Sequence, residues 1–320
     1  MNQAPEPSET KTSRKALLLR TAGTLLALAL LIYLLSQQGW DEILAALRQI
    51  PVTHLLMAFG LMFLSRLAVV GRWHILLTSS GLHISYWQSL RITFAGLFAS
   101  NFLPTTIGGD VVRLAGAVQQ RQDATIAAAS LIVDRLVGLA GMLLAVPFSL
   151  PGVINTDLFH HLPTPGEATS GFVLWSPIQK LYRKAVEIIQ RLLAAATIWL
   201  RQPRSLLISL TYTWINMLGL FGVLVLLLTD LQKPVSFWLI GGLYALVYLF
   251  TLIPISINGY GLQEVSMTFL FTQVAGISLP SALTAALLFR TLMIAASLPG
   301  ALFVPGMLTK TPKTSGAPTA

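Results

Sequence analysis

Residues 204–229 read RSLLISLTYTWINMLGLFGVLVLLLT and contain a single charged side chain, that of Arg204. A helix needs roughly 20 apolar residues to cross about 30 Å of hydrocarbon, and this run is longer. Further apolar blocks lie on either side of it, at about 16–35, 55–71, 88–103, 124–150, 235–256, 262–276 and 281–304. The sequence therefore predicts an all-α polytopic membrane protein with about seven to eight transmembrane or half-spanning helices.

The composition indicates the same class. Of 320 residues, 54% are hydrophobic and 10% are charged, whereas soluble domains carry about 25% charged residues. A core of this size could not be covered with polar surface in water, so lipid must be the solvent for most of the chain. The absence of cysteine excludes disulfides and thiolate metal sites, and the five histidines have no metal-ligand spacing. We therefore expect neither a metal nor a cofactor.

Basic residues flank the apolar blocks and give the chain a formal net charge of +9. Those outside the first and last blocks are Lys11, Arg14, Lys15, Arg20, Lys310 and Lys313. Lys and Arg in loops are retained on the cytoplasmic side of membranes, so both termini are expected in the cytoplasm. This placement argues against nucleic acid as a partner.

The first block could be a signal peptide, but residues 36–39 offer no small-residue cleavage site, so an uncleaved helix is expected.

We expect one transmembrane domain, residues 16–305, between disordered or cytoplasmic tails at 1–15 and 306–320. Its first half covers about 16–150 and its second half 204–305. The second helix is expected to end at Arg72. The number of crossings between Tyr86 and Pro177 stays open, because two prolines, Pro147 and Pro151, could divide the block 124–150.

Two other segments are expected to lie at the membrane surface. Residues 40–50 predict a short interfacial helix. Residues 178–200 place basic side chains at helical spacing among apolar residues: Lys180, Arg183, Lys184 and Arg191. This pattern predicts a basic amphipathic helix that lies on an anionic lipid surface.

Two apolar blocks run into segments with the same proline–glycine spacing. The first reads Pro104-Thr-Thr-Ile-Gly-Gly109 and the second reads Pro254-Ile-Ser-Ile-Asn-Gly259. Proline removes a backbone donor and glycine tolerates positive φ, so a helix is expected to stop at each place. Irregular backbone at membrane depth must be packed in protein or line a wet cavity, so we predict two re-entrant segments. Their matching positions in halves that start on opposite sides of the membrane favour an inverted repeat of the transporter type.

Several charged residues accompany these breaks inside apolar sequence. A charge near mid-membrane costs roughly 2.5–3.5 kcal/mol on insertion scales, so it is rarely kept without a role. Structural ion pairs or snorkelling explain any one of them, whereas the set favours a common anion site. Gly108 and Gly109 would open a helix whose free N–H groups suit a phosphate, and Arg113 could add a bidentate contact. The predicted substrate-binding residues are Gly108, Gly109, Asp110, Arg113, Asp134, Arg135, Asn258, Gly259, Gly261, Glu264 and Arg290, with Pro104 and Pro254 as the helix breaks.

This ordered set of motifs resembles the transmembrane region of lysylphosphatidylglycerol synthase/flippase proteins. The motifs are Pro104…Gly109-Asp110-x-x-Arg113, Asp134-Arg135-Leu136-Val137-Gly138, Pro254…Gly259-x-Gly261-x-x-Glu264 and Phe289-Arg290. The resemblance covers about residues 16–305. It implies a stand-alone, flippase-like protein of a bacterial inner membrane without the soluble aminoacyltransferase domain. Asn258 and Gln263 depart from the family pattern Gly-Gly-x-Gly-x-Arg-Glu, so the charge balance of the second half is expected to differ.

The leading hypothesis is a lipid flippase or transporter, not an enzyme. Its substrate would be an amphiphile with a phosphate-containing headgroup: a phospholipid, an aminoacyl-phospholipid or a polyprenyl-phosphate-linked sugar. Arg113, Arg135 and Arg290 would contact the phosphate, while Asp110 and Glu264 would balance those charges or bind protons. The sequence has no G-x-x-x-x-G-K-[ST] loop, so energy would come from ion gradients, the membrane potential or the lipid gradient.

Two alternatives stay open. One is a membrane-embedded enzyme acting on a lipid phosphate, although the H-E-x-x-H and G-x-S-x-G signatures are missing. The other is a non-transporting subunit of an envelope-assembly complex. A lipid-modifying enzyme or a glycosyltransferase is the kind of partner that a lipid transporter would have. The sequence does not predict an oligomeric state.

Overall fold

The computed structural model describes residues 48–103, 108–154, 198–231, 235–252 and 259–304. Within these ranges, all regular secondary structure is helical. Several predictions lie outside them: the first helix at 16–35, both tails, residues 40–47 and 178–197, and the residues Pro104, Pro254 and Asn258.

The described part of the chain forms helices in this order: α1 (Val52–Ser79), α2 (Tyr86–Ser100), α3 (Gly108–Gln119), α4 (Ala124–Ala145), α5 (Leu150–Ile154), α6 (Pro203–Leu231), α7 (Phe237–Thr251), α8 (Leu262–Gln273) and α9 (Leu279–Ser297). A 3₁₀ turn at Val146–Ser149 joins α4 to α5, and another at Leu298–Leu302 continues α9.

Four described segments are long and apolar enough to cross a membrane: Val52–Ser79, Ala124–Ile154, Pro203–Leu231 and Leu279–Leu302. The helices α2, α3, α7 and α8 have 15, 12, 15 and 12 residues. At 1.5 Å per residue they extend about 18–22 Å, which is too short to cross alone. The prediction of an all-α polytopic membrane protein is confirmed.

The structure corrects the predicted end of the helix at Arg72, and it shows that the block 124–150 is not divided. Arg72 does not end a helix, because α1 continues to Ser79 and the Arg72 side chain is buried against a carboxylate. The block 124–150 is a single segment that continues to Ile154. Its prolines lie in the 3₁₀ turn and in the first turn of α5, where a missing N–H costs no helical hydrogen bond. The helix α3 was not among the predicted apolar blocks, since it is short and carries polar residues.

Helices α1 and α6 pack against each other through small and polar residues. A Cβ on Gly219 would lie 3.3 Å from the carbonyl oxygen of Leu61, so the two backbones lie close together. Across the same interface, the hydroxyl of Ser65 donates to Oδ1 of Asn216 at 2.5 Å. The exposed apolar side chains on these two helices include Leu56, Met57, Leu64, Leu207 and Leu218. Such a surface suits contact with lipid.

Helices α2 and α3 form an antiparallel hairpin with almost no space between the backbones. A Cβ on Gly96 would lie 2.7 Å from the carbonyl oxygen of Gly109, and one on Gly109 would lie 2.7 Å from that of Gly96. At the far end of the hairpin, Nε2 of Gln88 donates to Oε1 of Gln120 at 2.8 Å. Ser85 begins α2 with a capping box shared with Gln88. A side chain at either glycine would force the helices apart.

The last residues of the predicted basic helix are docked on the end of α1. Trp199 is buried, and its Nε1 donates to the carbonyl oxygen of Leu76 at 2.9 Å. Nε2 of Gln202 donates to the carbonyl oxygen of Ser79 at 2.8 Å. Both carbonyls lie in the last turn of α1, where the helix supplies no backbone N–H donor, so these bonds help to satisfy them. The placement of residues 178–197 on a lipid surface stays a prediction.

Candidate functional site

A cavity of about 310 Å³ lies where α1–α4 and α6–α9 converge. Each of these helices contributes at least one lining side chain. The charged residues of the lining are Arg66, Arg72, Asp110, Arg113, Asp134, Arg135 and Arg290. Sequences that are otherwise apolar thus bring their charges to one place.

Asp134 is the centre of the first charged cluster. Its side chain is 2% exposed and accepts from two arginines. Arg72 donates from Nε to Oδ1 at 2.7 Å and from Nη2 to Oδ2 at 3.2 Å, while both terminal nitrogens of Arg113 donate to Oδ2 at 3.2 Å. Gly138, one turn along α4, leaves room for this arrangement, since a Cβ there would lie 3.1 Å from Nη1 of Arg72. The buried carboxylate is fully paired, as a charge in this environment must be.

Asp110 extends the cluster into a chain of alternating charges. Its Oδ1 accepts from Nη1 of Arg113 at 3.1 Å, and its Oδ2 accepts a short hydrogen bond from Nε of Arg135. The guanidinium of Arg113 also lies over the ring of Trp73, 4.3 Å from the centroid. Asp110 occupies the first turn of α3, where a carboxylate is favoured by the helix dipole. Three arginines are therefore held by two aspartates.

The second half of the chain supplies a separate ion pair. Oε1 of Glu264, whose side chain is 3% exposed, accepts from Nε of Arg290 at 2.5 Å. Arg290 also donates from Nη2 to the carbonyl oxygen of Gly259 at 3.2 Å, and it lies over the ring of Tyr260. Gly259 and Gly261 have φ values of 71° and 75°, a region that glycine enters without strain. Arg290 thus satisfies backbone that the helix break leaves without a helical partner.

The described residues beside the two breaks are in contact. The hydroxyl of Tyr260 donates to the carbonyl oxygen of Asn101, just after α2, at 3.1 Å. Nδ2 of Asn101 donates in turn to the hydroxyl of Ser297 at 2.8 Å. The segments that follow α2 and precede α8 are therefore in direct contact, next to the cavity.

Each half of the chain contains an ion pair between an acidic residue after the break and an arginine on the next helix. In the first half, Asp110 follows the break and pairs with Arg135 on the next helix, 25 residues later. In the second half, Glu264 follows the break and pairs with Arg290 on the next helix, 26 residues later. The charge order is the same in both halves, and the spacing differs by one residue.

The structure brings together many of the predicted site residues. Those that line the cavity are Asp110, Arg113, Asp134, Arg135 and Arg290. Glu264 adjoins the cavity through Arg290. Gly108 and Gly109 begin α3, as predicted, but they face the end of α2 and do not line the cavity. A phosphate seat on their N–H groups stays a prediction.

Most of the other lining residues are not in the predicted substrate-binding set, and four of them are polar side chains that matter to the site: Arg66, Arg72, Asn216 and Tyr244. For the two arginines a signal existed, because the residues beyond Arg72 as far as Leu77 are apolar apart from His74. A helix that extends past an arginine in this way buries it, and it must then be satisfied inside the protein. For Asn216 and Tyr244, nothing in an isolated apolar run distinguishes a lining side chain from a packed one.

Comparison with known families gives one match. The model described as the lysylphosphatidylglycerol synthase TM region matches residues 20–300. This stretch contains all the charged residues of the cavity. Comparison with individually curated proteins gives no match.

Proposed function

Because the chain belongs to the lysylphosphatidylglycerol synthase transmembrane-region family, we propose that it moves an amphiphile with a phosphate-containing headgroup across the membrane. The observation that carries this proposal is the arginine-rich cavity inside a helical membrane protein. Arginine binds phosphate oxygens through parallel N–H donors, and it is the residue most suited to such a group. Phospholipids, aminoacyl-phospholipids and polyprenyl-phosphate-linked sugars all carry one.

The size of the cavity suits a headgroup. Ligand pockets for whole small molecules span roughly 300–1,000 Å³, and this one, at about 310 Å³, lies at the lower end. A phosphate and its polar substituent fit, whereas two acyl chains do not. The chains of a bound lipid would therefore stay in the bilayer while the headgroup occupies the cavity.

The short helices support a transporter architecture. We interpret α2/α3 and α7/α8 as re-entrant pairs whose tips lie within the membrane. Their freed backbone groups are bonded inside the protein, by Tyr260 to Asn101 and by Arg290 to Gly259, as irregular backbone at that depth requires. The repeated pairing of Asp110 with Arg135 and of Glu264 with Arg290 supports an inverted repeat, a design that places substrate sites at the repeat interface.

The test is lipid movement in reconstituted vesicles. Purified protein is incorporated with a fluorescent phosphatidylglycerol, and probe in the outer leaflet is quenched with an impermeant reductant, with and without an imposed membrane potential. We expect faster exchange between leaflets than in empty vesicles, and no acceleration of a labelled diacylglycerol, which lacks phosphate. Exchange no faster than in empty vesicles under either condition would refute the proposal.

Two variants connect that activity to the cavity. Arg113→Lys keeps the charge but loses the planar fork, and Glu264→Gln removes the partner of Arg290, so each is expected to lower the rate at least several-fold. Arg91→Lys, at an exposed position outside the cavity, is the matched control and should exchange lipid like the parent. If both cavity variants fold and move lipid at the parent rate, the cavity is not the transport site.

A further inference from the structure

Arg66 differs from the other four arginines of the cavity. Arg72, Arg113, Arg135 and Arg290 each contact a carboxylate. Arg66 is 8% exposed, and in the described part of the chain its one hydrogen bond runs from Nη2 to the sulfur of Met62 at 3.5 Å. Its Nε is buried with no acceptor among the described residues. A thioether is a weak, uncharged acceptor, so the charge of Arg66 is not compensated there.

Neutral donors lie beside this charge. Asn216 lines the same cavity, and its Oδ1 already accepts from Ser65, which leaves the amide NH₂ group available to a ligand. Tyr244, on α7, lines the cavity as well and carries a hydroxyl that can donate. A guanidinium, an amide and a phenol around one space form a donor set that suits an anion.

The charge balance of the cavity leads to the same conclusion. Five arginines line it, whereas the carboxylates in contact with them are three, namely Asp110, Asp134 and Glu264. Four of the five arginines contact one of these carboxylates, and among the described residues Arg66 contacts none. A buried charge without a partner is strongly unfavourable, so an anion is the group that completes this site.

From this geometry we infer that Arg66 is the anion-binding residue of the cavity. Its guanidinium takes an oxygen of the ligand's phosphate, and Asn216 and Tyr244 donate to the remaining oxygens. The paired arginines hold the shape of the cavity, while Arg66 supplies the recognition. This inference rests on the proposed function and adds to it the residue that reads the headgroup charge.

The test uses the sign of a stability change. Arg66→Met keeps the length of the side chain and removes the charge. Because an uncompensated buried charge is removed, the ligand-free variant should unfold at a temperature equal to or above that of the parent in detergent. If Arg66 were instead a structural residue, the variant would unfold at a lower temperature.

Binding is measured with three probes on the same purified full-length protein: dihexanoyl phosphatidylglycerol, inorganic phosphate and dihexanoylglycerol. We expect the short phospholipid to raise the unfolding temperature of the parent and dihexanoylglycerol not to do so. Arg66→Met should bind the phospholipid at least tenfold more weakly, and Arg66→Lys should fall between. Arg91→Met, which removes an exposed arginine outside the cavity, should bind like the parent. If inorganic phosphate stabilises the parent through Arg66 too, the site reads phosphate alone; if only the lipid does, it reads a whole headgroup.

The results that would contradict these expectations distinguish a wrong assignment of Arg66 from a wrong proposed function. If the parent binds the phospholipid and Arg66→Met binds it equally well, the assignment of Arg66 is wrong and the proposed function stands. A ligand-free Arg66→Met protein less stable than the parent also overturns the assignment. If the parent binds neither phosphate-containing probe, both proposals fail.

Discussion

Removing the charge of Asp134 should strongly destabilise the protein. The Asp134 carboxylate accepts four hydrogen bonds from Arg72 and Arg113 and is 2% exposed. Asp134→Asn keeps the shape, but it neutralises the carboxylate and turns one acceptor into a donor that faces guanidinium N–H groups. Arg113 would keep the carboxylate of Asp110, whereas Arg72 would keep no carboxylate and only neutral acceptors, the amide oxygen and the hydroxyl of Thr213 at 3.4 Å.

The expected cost follows from that loss. Breaking a buried ion pair by removing one partner typically costs about 3–5 kcal/mol, a large part of a total stability of about 5–15 kcal/mol. Adding Arg72→Met removes the cation that has lost its partner. The double variant should therefore recover about 1–3 kcal/mol, the usual size of coupling between residues in contact.

The free energy of unfolding is measured by titrating detergent-solubilised protein with SDS and following tryptophan fluorescence. Asp123→Asn is the matched control, since Asp123 is exposed and caps α4 by accepting from the backbone N–H of Ile126, a role that asparagine fills about equally well. If Asp134→Asn lies within about 0.5 kcal/mol of the parent, as surface substitutions do, the ion pairs do not hold the cavity and the argument is wrong.

Two further predictions concern packing and topology. Gly138→Ala should be less stable than Gly60→Ala by about 1–3 kcal/mol, because both gain the same helix propensity but the methyl at 138 would crowd Nη1 of Arg72. A Cβ at Gly60 has no heavy atom within 4 Å. Equal effects in the same SDS titration would contradict this. In single-cysteine labelling with an impermeant maleimide, Ser13→Cys and Ser315→Cys should react only from the cytoplasmic side. The extent of labelling of single cysteines placed through 178–200 should rise and fall with helical period. External labelling of either tail, or uniform protection of 178–200, would overturn the predicted topology.

The class of the protein and the convergence of its charges could be read from the sequence. Apolar runs of bilayer length have one stable structure in lipid, the helix, since every backbone group must be bonded within the segment. The charges Asp110, Arg113, Asp134, Arg135 and Arg290 stand out against such runs, and because isolated charges are unstable in hydrocarbon, their grouping was a sound expectation.

The pairing within the site could not be read in the same way. Arg72 and Asp134 are 62 residues apart, and their contact depends on how α1 and α4 pack. An arginine at the end of an apolar run looks the same in sequence whether it lies at the membrane surface or one turn deeper. For this reason the sequence places Arg72 at a helix end and does not decide the depth of Arg66.

The residues beside the two breaks are joined by the bond from Tyr260 to Asn101, and Asn101 also bonds Ser297 at the end of α9. Both bonds are between neutral groups, and each contributes a net of about 0.5–1.5 kcal/mol. Only the bond from Tyr260 joins the second break to the first, so losing it costs about 0.5–1.5 kcal/mol in hydrogen bonding alone. A buried ion pair at the same place would leave unpaired charges on separation, which is far more costly. The ion pairs lie instead around the cavity, so this hydrogen bond can break while the charged lining stays assembled.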